Sequence, residues 1–586
     1  MAARLAAYVV VSIVAATLIA GLIVGAQRDD SDGPVDLIVH NAAVYTADRR
    51  GSVAEAVAIR GNQILRVGTN REIARLQRPQ TVMIDARGGA VLPGFNDGHL
   101  DLIAGGLTLE ALDLSTAVTV AEILERVASW SAAHPTAAWV VGRGWSVEQL
   151  RNGTPSRQLL DTIVKDRPVL LYGAEEDTAW VNSRALRLGD ITRKTEDPEN
   201  GVIGRESRKG EPNGLLTGSA VQLVEKLVPP PSREQRMAAI RAAIAEANAL
   251  GVTSVQSLAD DVNDLELFDA FRRSGELTLR IYSGLRVTQP LTDSAVQALD
   301  GIRKLYADDP LFKAGALSLQ IDGELASRTA ALLEPYEDAS ERGSTLFEAD
   351  DLNRTARLAD AAGWQIVAHA TGDRAVRMAL TAFAHAVRSN RSPIRERRHR
   401  IESAALVDDA DRPRFGPLGV VASMDPARAL PTPARMELLS RHLGDERFDQ
   451  LFPFRTMTGA TRVIFGSGWP ARPMNPFEAL HVAVTQTTPE GTPEGGWHAD
   501  ERLELKPAID AFTSTAAWAS FDEQRKGSIS AGMLADLIVL SDDIFTMPAG
   551  TLASTSVRVT VFDGKVVFQR TPRSETEPAP APSLQH

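Results

Sequence analysis

The chain has 586 residues, a formal net charge of -12 and no cysteine. That length exceeds one compact domain, so two or three domains are expected, although a large α/β barrel can occupy most of such a chain. The acid excess excludes nucleic acid as a partner, and the missing thiols exclude disulfides, thiolate metal sites and cysteine nucleophiles.

The first element is an uncharged run from Leu5 to Gly25. As a helix it rises about 1.5 Å per residue and reaches roughly 30 Å, enough to cross a bilayer. A signal peptide is the competing reading, because Val24-Gly25-Ala26 resembles a cleavage site. The length of the run favours an uncleaved transmembrane anchor. With Arg4 before it and Arg28 after it, the charge asymmetry is thin, and the body is expected on the extracytoplasmic, periplasmic side. Residues 1–34 therefore read as anchor and polar linker.

Short alternating segments follow, among them DLIVHNAAVYTA and AVAIRGNQILRVG, with a hairpin turn at Arg60 to Gln63. The same texture returns in ADLIVLSDD and VRVTVFDGKVVFQ, where Asp536 to Val539 echoes Asp36 to Val39. One small β-sandwich composed of residues 35–90 and 525–572 is the expectation. Between these pieces, apolar strand-like runs such as AWVVGRGW, PVLLYG, ALSLQIDG and RVIFGSGWP alternate with helical stretches. Such alternation predicts a TIM-like (β/α)8 barrel over 91–524, with functional groups at the C-terminal ends of its strands. Residues 573–586 are Pro-rich and read as a disordered tail. The basic run Arg395 to Arg400 reads as a solvated turn before a strand. His134, His385, His399, His442, His481 and His498 lack a ligating context and read mostly as surface or helix residues.

The segment VLPGFNDGHLDL is the most informative. An apolar strand ends in a polar cluster, and residues two apart on a strand share a face, so His99 and Asp101 are candidate ligands of one metal. Together with DGELASRTAALLEPY, IVAHATGDRAV, HRIESAALV, FGSGWPARPMNPFEAL and KGSISAGMLADLIVL, it resembles the amidohydrolase superfamily in its N-substituted-formamide deformylase-like branch. The resemblance spans about residues 35 to 570 and implies the barrel and composite sandwich.

It also implies one or two divalent metals that activate water, with an Asp at the last barrel strand moving protons. The family's first-strand His pair falls on His99 and Asp101. A related metallodipeptidase family uses His-x-Asp there, so Asp101 can still ligate. The bridging Lys position falls on Ser318, and a later ligand is kept as His369. The following His is replaced by Ser403 and the last-strand Asp by Gly468. A substrate-side Asp-Gly-His is replaced by Glu175-Glu176-Asp177. The losses fall on groups that do chemistry.

His99, Asp101 and His369 remain as an inventory for one metal, Zn or Fe; the alternative is no metal, with these side chains satisfying each other. Glu402 and Asp425 are candidate replacements in the pocket. Asp322 and Asp373 are further pocket candidates, or structural ion pairs with Arg374 at strand-to-helix turns. The resulting expectation is a membrane-anchored, degenerate amidohydrolase scaffold, a pseudoenzyme serving in binding, as a homo-oligomer or with membrane-protein partners. The alternative is a single-metal hydrolase of non-peptide C–N bonds. A small-molecule binder using the old pocket is a third reading.

Overall fold

The computed structural model describes residues 34–48, 53–145, 155–173, 178–199, 201–306, 309–391, 395–571. Short, mostly β-branched or apolar runs supply eight parallel strands: β1 (Phe95–Leu100), β2 (Val252–Asp260), β3 (Arg280–Val287), β4 (Phe312–Gln320), β5 (Gln365–Ala370), β6 (Arg400–Ser403), β7 (Val421–Met424) and β8 (Val463–Phe465). Each pairs with the next in chain order. The ring is nearly closed where β1 meets the end of β8: Leu100 bridges Trp469, and the Gly468 N–H donates to the His99 carbonyl at 2.9 Å. Glycine makes this seam possible. A Cβ at Gly98 would lie 2.7 Å from the Phe465 carbonyl oxygen, and one at Gly466 would lie 2.6 Å from the His99 nitrogen.

The helices that follow the strands are amphipathic. In Asp373–Ser389, Val376, Ala379, Leu380 and Phe383 are buried at three- and four-residue spacing, which turns one apolar stripe inward. The expected α/β barrel is present, but its expected transmembrane helix is not supported. No helix among the described residues is long and apolar enough to cross a membrane. The membrane partner and the extracytoplasmic placement rested on that helix and are withdrawn with it. The Leu5 to Gly25 segment lies outside the described residues, as do Glu175 to Asp177 and the 573–586 tail.

The barrel belongs to one compact unit, which holds the described residues up to 101 and from 246 onward. The same unit carries two smaller sheets. Strand Ala90–Pro93 pairs antiparallel with Leu537–Leu540, joining distant parts of the chain in one six-stranded sheet. Leu37–His40, Ala56–Arg60, Gln63–Gly68 and Val82–Asp85 form the four-stranded partner. Val39, Ile59, Val91, Leu537, Val539 and Val561 fill the core these sheets share.

Residues 102–245 form the second unit, around a mixed six-stranded sheet. The AWVVGRGW and PVLLYG runs lie here, as Val140–Trp145 and Val169–Gly173, rather than in the barrel sheet. Their apolar pattern is that of any buried strand and does not say which sheet they join. Trp145 and Trp180 pack edge to face in this unit's core, with centroids 6.0 Å apart.

Candidate functional site

The C-terminal ends of the strands open into a cavity of about 660 Å³. His99 from β1 and His369 from β5 face each other across it, with ring centroids 4.7 Å apart and planes at 67°. Burial pushes both imidazoles far below the usual histidine range, helped by the positive charges of Arg400 and Arg428. Both rings are therefore neutral at ordinary pH.

The His369 ring already has a hydrogen-bond partner. Ser318, where the family places a bridging lysine, lies with its Oγ 2.9 Å from His369 Nε2. Glu402 brings Oε2 to 3.6 Å from His99 Nδ1, but its other oxygen is held by Arg400. Arg400 is fully buried and also donates to the carbonyl of Gly98 at 2.6 Å and to Gln256 Oε1. The expected solvated turn at Arg395 to Arg400 is thus corrected at its last two residues, His399 and Arg400, which are buried. Arg400 opens β6, and strand pleating puts it on the same inward face as Glu402.

Asp101 does not join the histidines. β1 ends at Leu100, so the two-residue alternation that would align Asp101 with His99 stops before reaching it. Its carboxylate lies 3.6 Å from Arg286 instead. Among the described residues no group of three or more His, Asp or Glu side chains is placed to hold a metal ion. The donor chemistry agrees. Two imidazoles remain, while Glu402 is held by Arg400, Asp101 lies toward Arg286, and a further carboxylate, Asp425, is buried beside Gly468. The residues do not fit the family's metal centre.

Asp322 and Asp373 act on the backbone. Asp322 is fully buried and accepts the N–H groups of Ala331, Thr371 and Gly372 at 2.8–2.9 Å, tying the loop after β4 to the loop after β5. Burial outweighs those bonds and pushes its pKa up to about 6. Asp373 accepts from the N–H groups of Leu333 and Arg374. Neither forms the ion pair with Arg374 that the sequence suggested; that guanidinium donates to the carbonyl of Gly343.

Positions 403, 425 and 468 rearrange together. Gly468 has φ 67°, and a Cβ there would lie 2.7 Å from Asp425 Oδ2. The carboxylate of Asp425, which follows β7, therefore occupies the space beside the position where the family has its last-strand Asp. It is 5% exposed, its Oδ1 has no hydrogen-bond partner among the described residues, and burial pushes its pKa up to about 7. Ser403 accepts from Arg428 Nη1 at 2.9 Å.

The sequence reading missed the charged side chains around these positions. Asp97 accepts the N–H groups of His99 and Ser467, each at 3.0 Å, and holds the seam from inside. Arg428, Arg435 and Arg472 line the cavity. Only Arg400 had a legible signal, its two-residue spacing from Glu402. Of the six histidines read mostly as surface or helix residues, His399, His442 and His481 are buried. His399 Nε2 lies 3.1 Å from Asp360 Oδ1, which satisfies it away from the cavity.

The fold is thus a nearly closed parallel barrel with two histidine rings in edge-to-face contact at its mouth. The chain belongs to the amidohydrolase family, whose sequence pattern matches residues 82–568. Protein LONG AFTER FAR-RED 3 of Arabidopsis thaliana is 29% identical over 549 residues, covering 91% of each chain. N-substituted formamide deformylase of Arthrobacter pascens is 26% identical over 552 residues, covering 92% of this chain and 99% of that protein. The structure of an uncharacterized metal-dependent hydrolase from Pyrococcus horikoshii OT3 shares the fold, with a TM-score of 0.71 at 23% identity over 88% of this chain and 99% of that one.

Proposed function

We propose that this amidohydrolase-family chain uses its barrel-mouth cavity to bind a small molecule and does not run the family's metal-activated hydrolysis. One observation carries this reading. Glu402, the carboxylate beside His99, is engaged by the buried Arg400, and Asp101 lies 3.6 Å from Arg286 rather than with the histidines. A buried guanidinium beside the imidazoles also disfavours a divalent cation by like-charge repulsion. Ser403 and Gly468 add no strong ligand or proton carrier. What persists is a shaped cavity of mixed polar and apolar lining, of a size that suits a small ligand.

A second reading, a C–N hydrolase with one divalent metal, draws on the neutral imidazole pair and on the deformylase relative. One measurement separates the two. The full chain, purified without chelator, is analysed for transition metals and assayed on an N-substituted formamide. The binding reading expects well under 0.1 metal per chain, as an order-of-magnitude threshold, and no hydrolysis above background. About one metal per chain, lost in His99→Ala and His369→Ala and accompanied by hydrolysis, would overturn it.

A further inference from the structure

Four guanidinium groups reach the cavity; Arg286 faces Asp101, and the other three come from three different segments. Arg428 lies in the short turn Pro426–Ala429 after β7, Arg435 in the helix Pro433–Phe448, and Arg472 in the loop after β8. Convergence of like charges is unfavourable unless something of opposite sign sits among them. The protein supplies little of it. Arg428 is paired with Glu324 and bonds Ser403. Arg472 donates to the carbonyl of Ala471 at 2.8 Å. Arg435 has a buried Nε with no hydrogen-bond partner, and neither it nor Arg472 pairs with a carboxylate among the described residues. Burial, then the charges of Arg472 and Arg428, push the Arg435 pKa down, the mark of a cation that lacks its counter-charge. Asp425 is the remaining acid close by, and burial keeps it partly protonated near neutral pH.

We propose that Arg428, Arg435 and Arg472 form an anion-binding wall that takes the carboxylate or phosphate group of a small organic acid. This deepens the binding reading above and rests on it. Guanidinium is the group suited to such ligands, because its planar fork donates two parallel N–H bonds to paired oxygens. Asp425, which lines the same cavity, then meets an N–H or O–H of the ligand, so the favoured occupant carries an acid group and a hydrogen-bond donor.

The test is calorimetric titration of the full chain with succinate, with its neutral isostere succinamide, and with inorganic phosphate. Succinate or phosphate is expected to bind and succinamide not to. The tighter of the two anions identifies whether the natural acid group is a carboxylate or a phosphoryl group. Arg435→Gln and, separately, Arg472→Gln are expected to weaken that binding at least tenfold, with circular dichroism unchanged. Loss of an unpaired buried cation should not unfold the chain, and two independent variants guard against one that does. No binding of either anion, equal binding of succinamide, or an unchanged Kd in both folded variants would overturn the anion wall. Metal content is read on the same preparation. Failure of the wall in metal-free protein leaves the binding reading standing, whereas about one metal per chain with formamide hydrolysis removes that reading itself.

Discussion

Asp260 shows how strongly the barrel mouth perturbs a single residue. It ends β2, is 1% exposed, and accepts from the hydroxyls of Ser257 and Ser283. Burial outweighs both bonds and pushes its pKa up to about 8. The unfolded chain ionises this carboxyl near pH 4. Between about pH 4 and pH 8 the native state therefore binds the extra proton, and stability falls as pH rises, by at most ~1.4 kcal/mol per pH unit. Asp260→Asn removes that slope. Urea unfolding at pH 5 and pH 8 should show the variant gaining on the parent as pH rises; an identical pH dependence would refute the assignment. At this scale the sequence was legible where side-chain identity carries a motif, as at His99 and His369. It was silent on Arg428, Arg435 and Arg472, because charges in turns and loops have no period and reveal no common target until the barrel brings them together. It misled at Asp101, because the end of a strand cannot be read to one residue.

At the scale of elements, the β1–β8 seam depends on backbone atoms that cannot move aside. Gly466→Ala should cost about 1–3 kcal/mol by denaturant unfolding, since the added methyl meets the His99 backbone nitrogen rather than a flexible tip. Gly301, in helix Asp293–Leu305, has nothing within 4 Å of its Cβ position. Gly301→Ala should therefore stabilise by up to about 1 kcal/mol, and similar losses at both positions would contradict the seam argument. Most of the barrel strands were readable because they are short apolar runs between turn residues, and the alternation with amphipathic helices implies a parallel sheet. Their allocation was not readable. Val140–Trp145 has the texture of a barrel strand, yet its hydrogen bonds go to Leu112–Asp113 and Val169–Gly173. Pairing is decided by contacts across long stretches of chain, which local pattern does not encode.

At the scale of the whole molecule, a guanidinium paired with two carboxylates links the barrel to the C-terminal strands. Arg280, the first residue of β3, donates to Asp536 at 2.6 and 2.9 Å and to Asp563 at 2.9 Å, with Arg280 and Asp536 almost fully buried. Asp536→Ala leaves that guanidinium underpaired and should cost about 3–5 kcal/mol, measured by urea unfolding; a loss under about 1 kcal/mol would show that Asp563 alone suffices. The pairing of Ala90–Pro93 with Leu537–Leu540 has another consequence, in time rather than in energy. A ribosome adding about 5–20 residues per second needs on the order of 20–90 s to reach the second strand after making the first. Throughout that interval the early strand has an unsatisfied edge, and β1 likewise waits for β2 across the whole of residues 102–245. Synthesis of this protein therefore leaves these edges unpaired for a long interval, and chaperone co-expression is expected to raise its folded yield in cells.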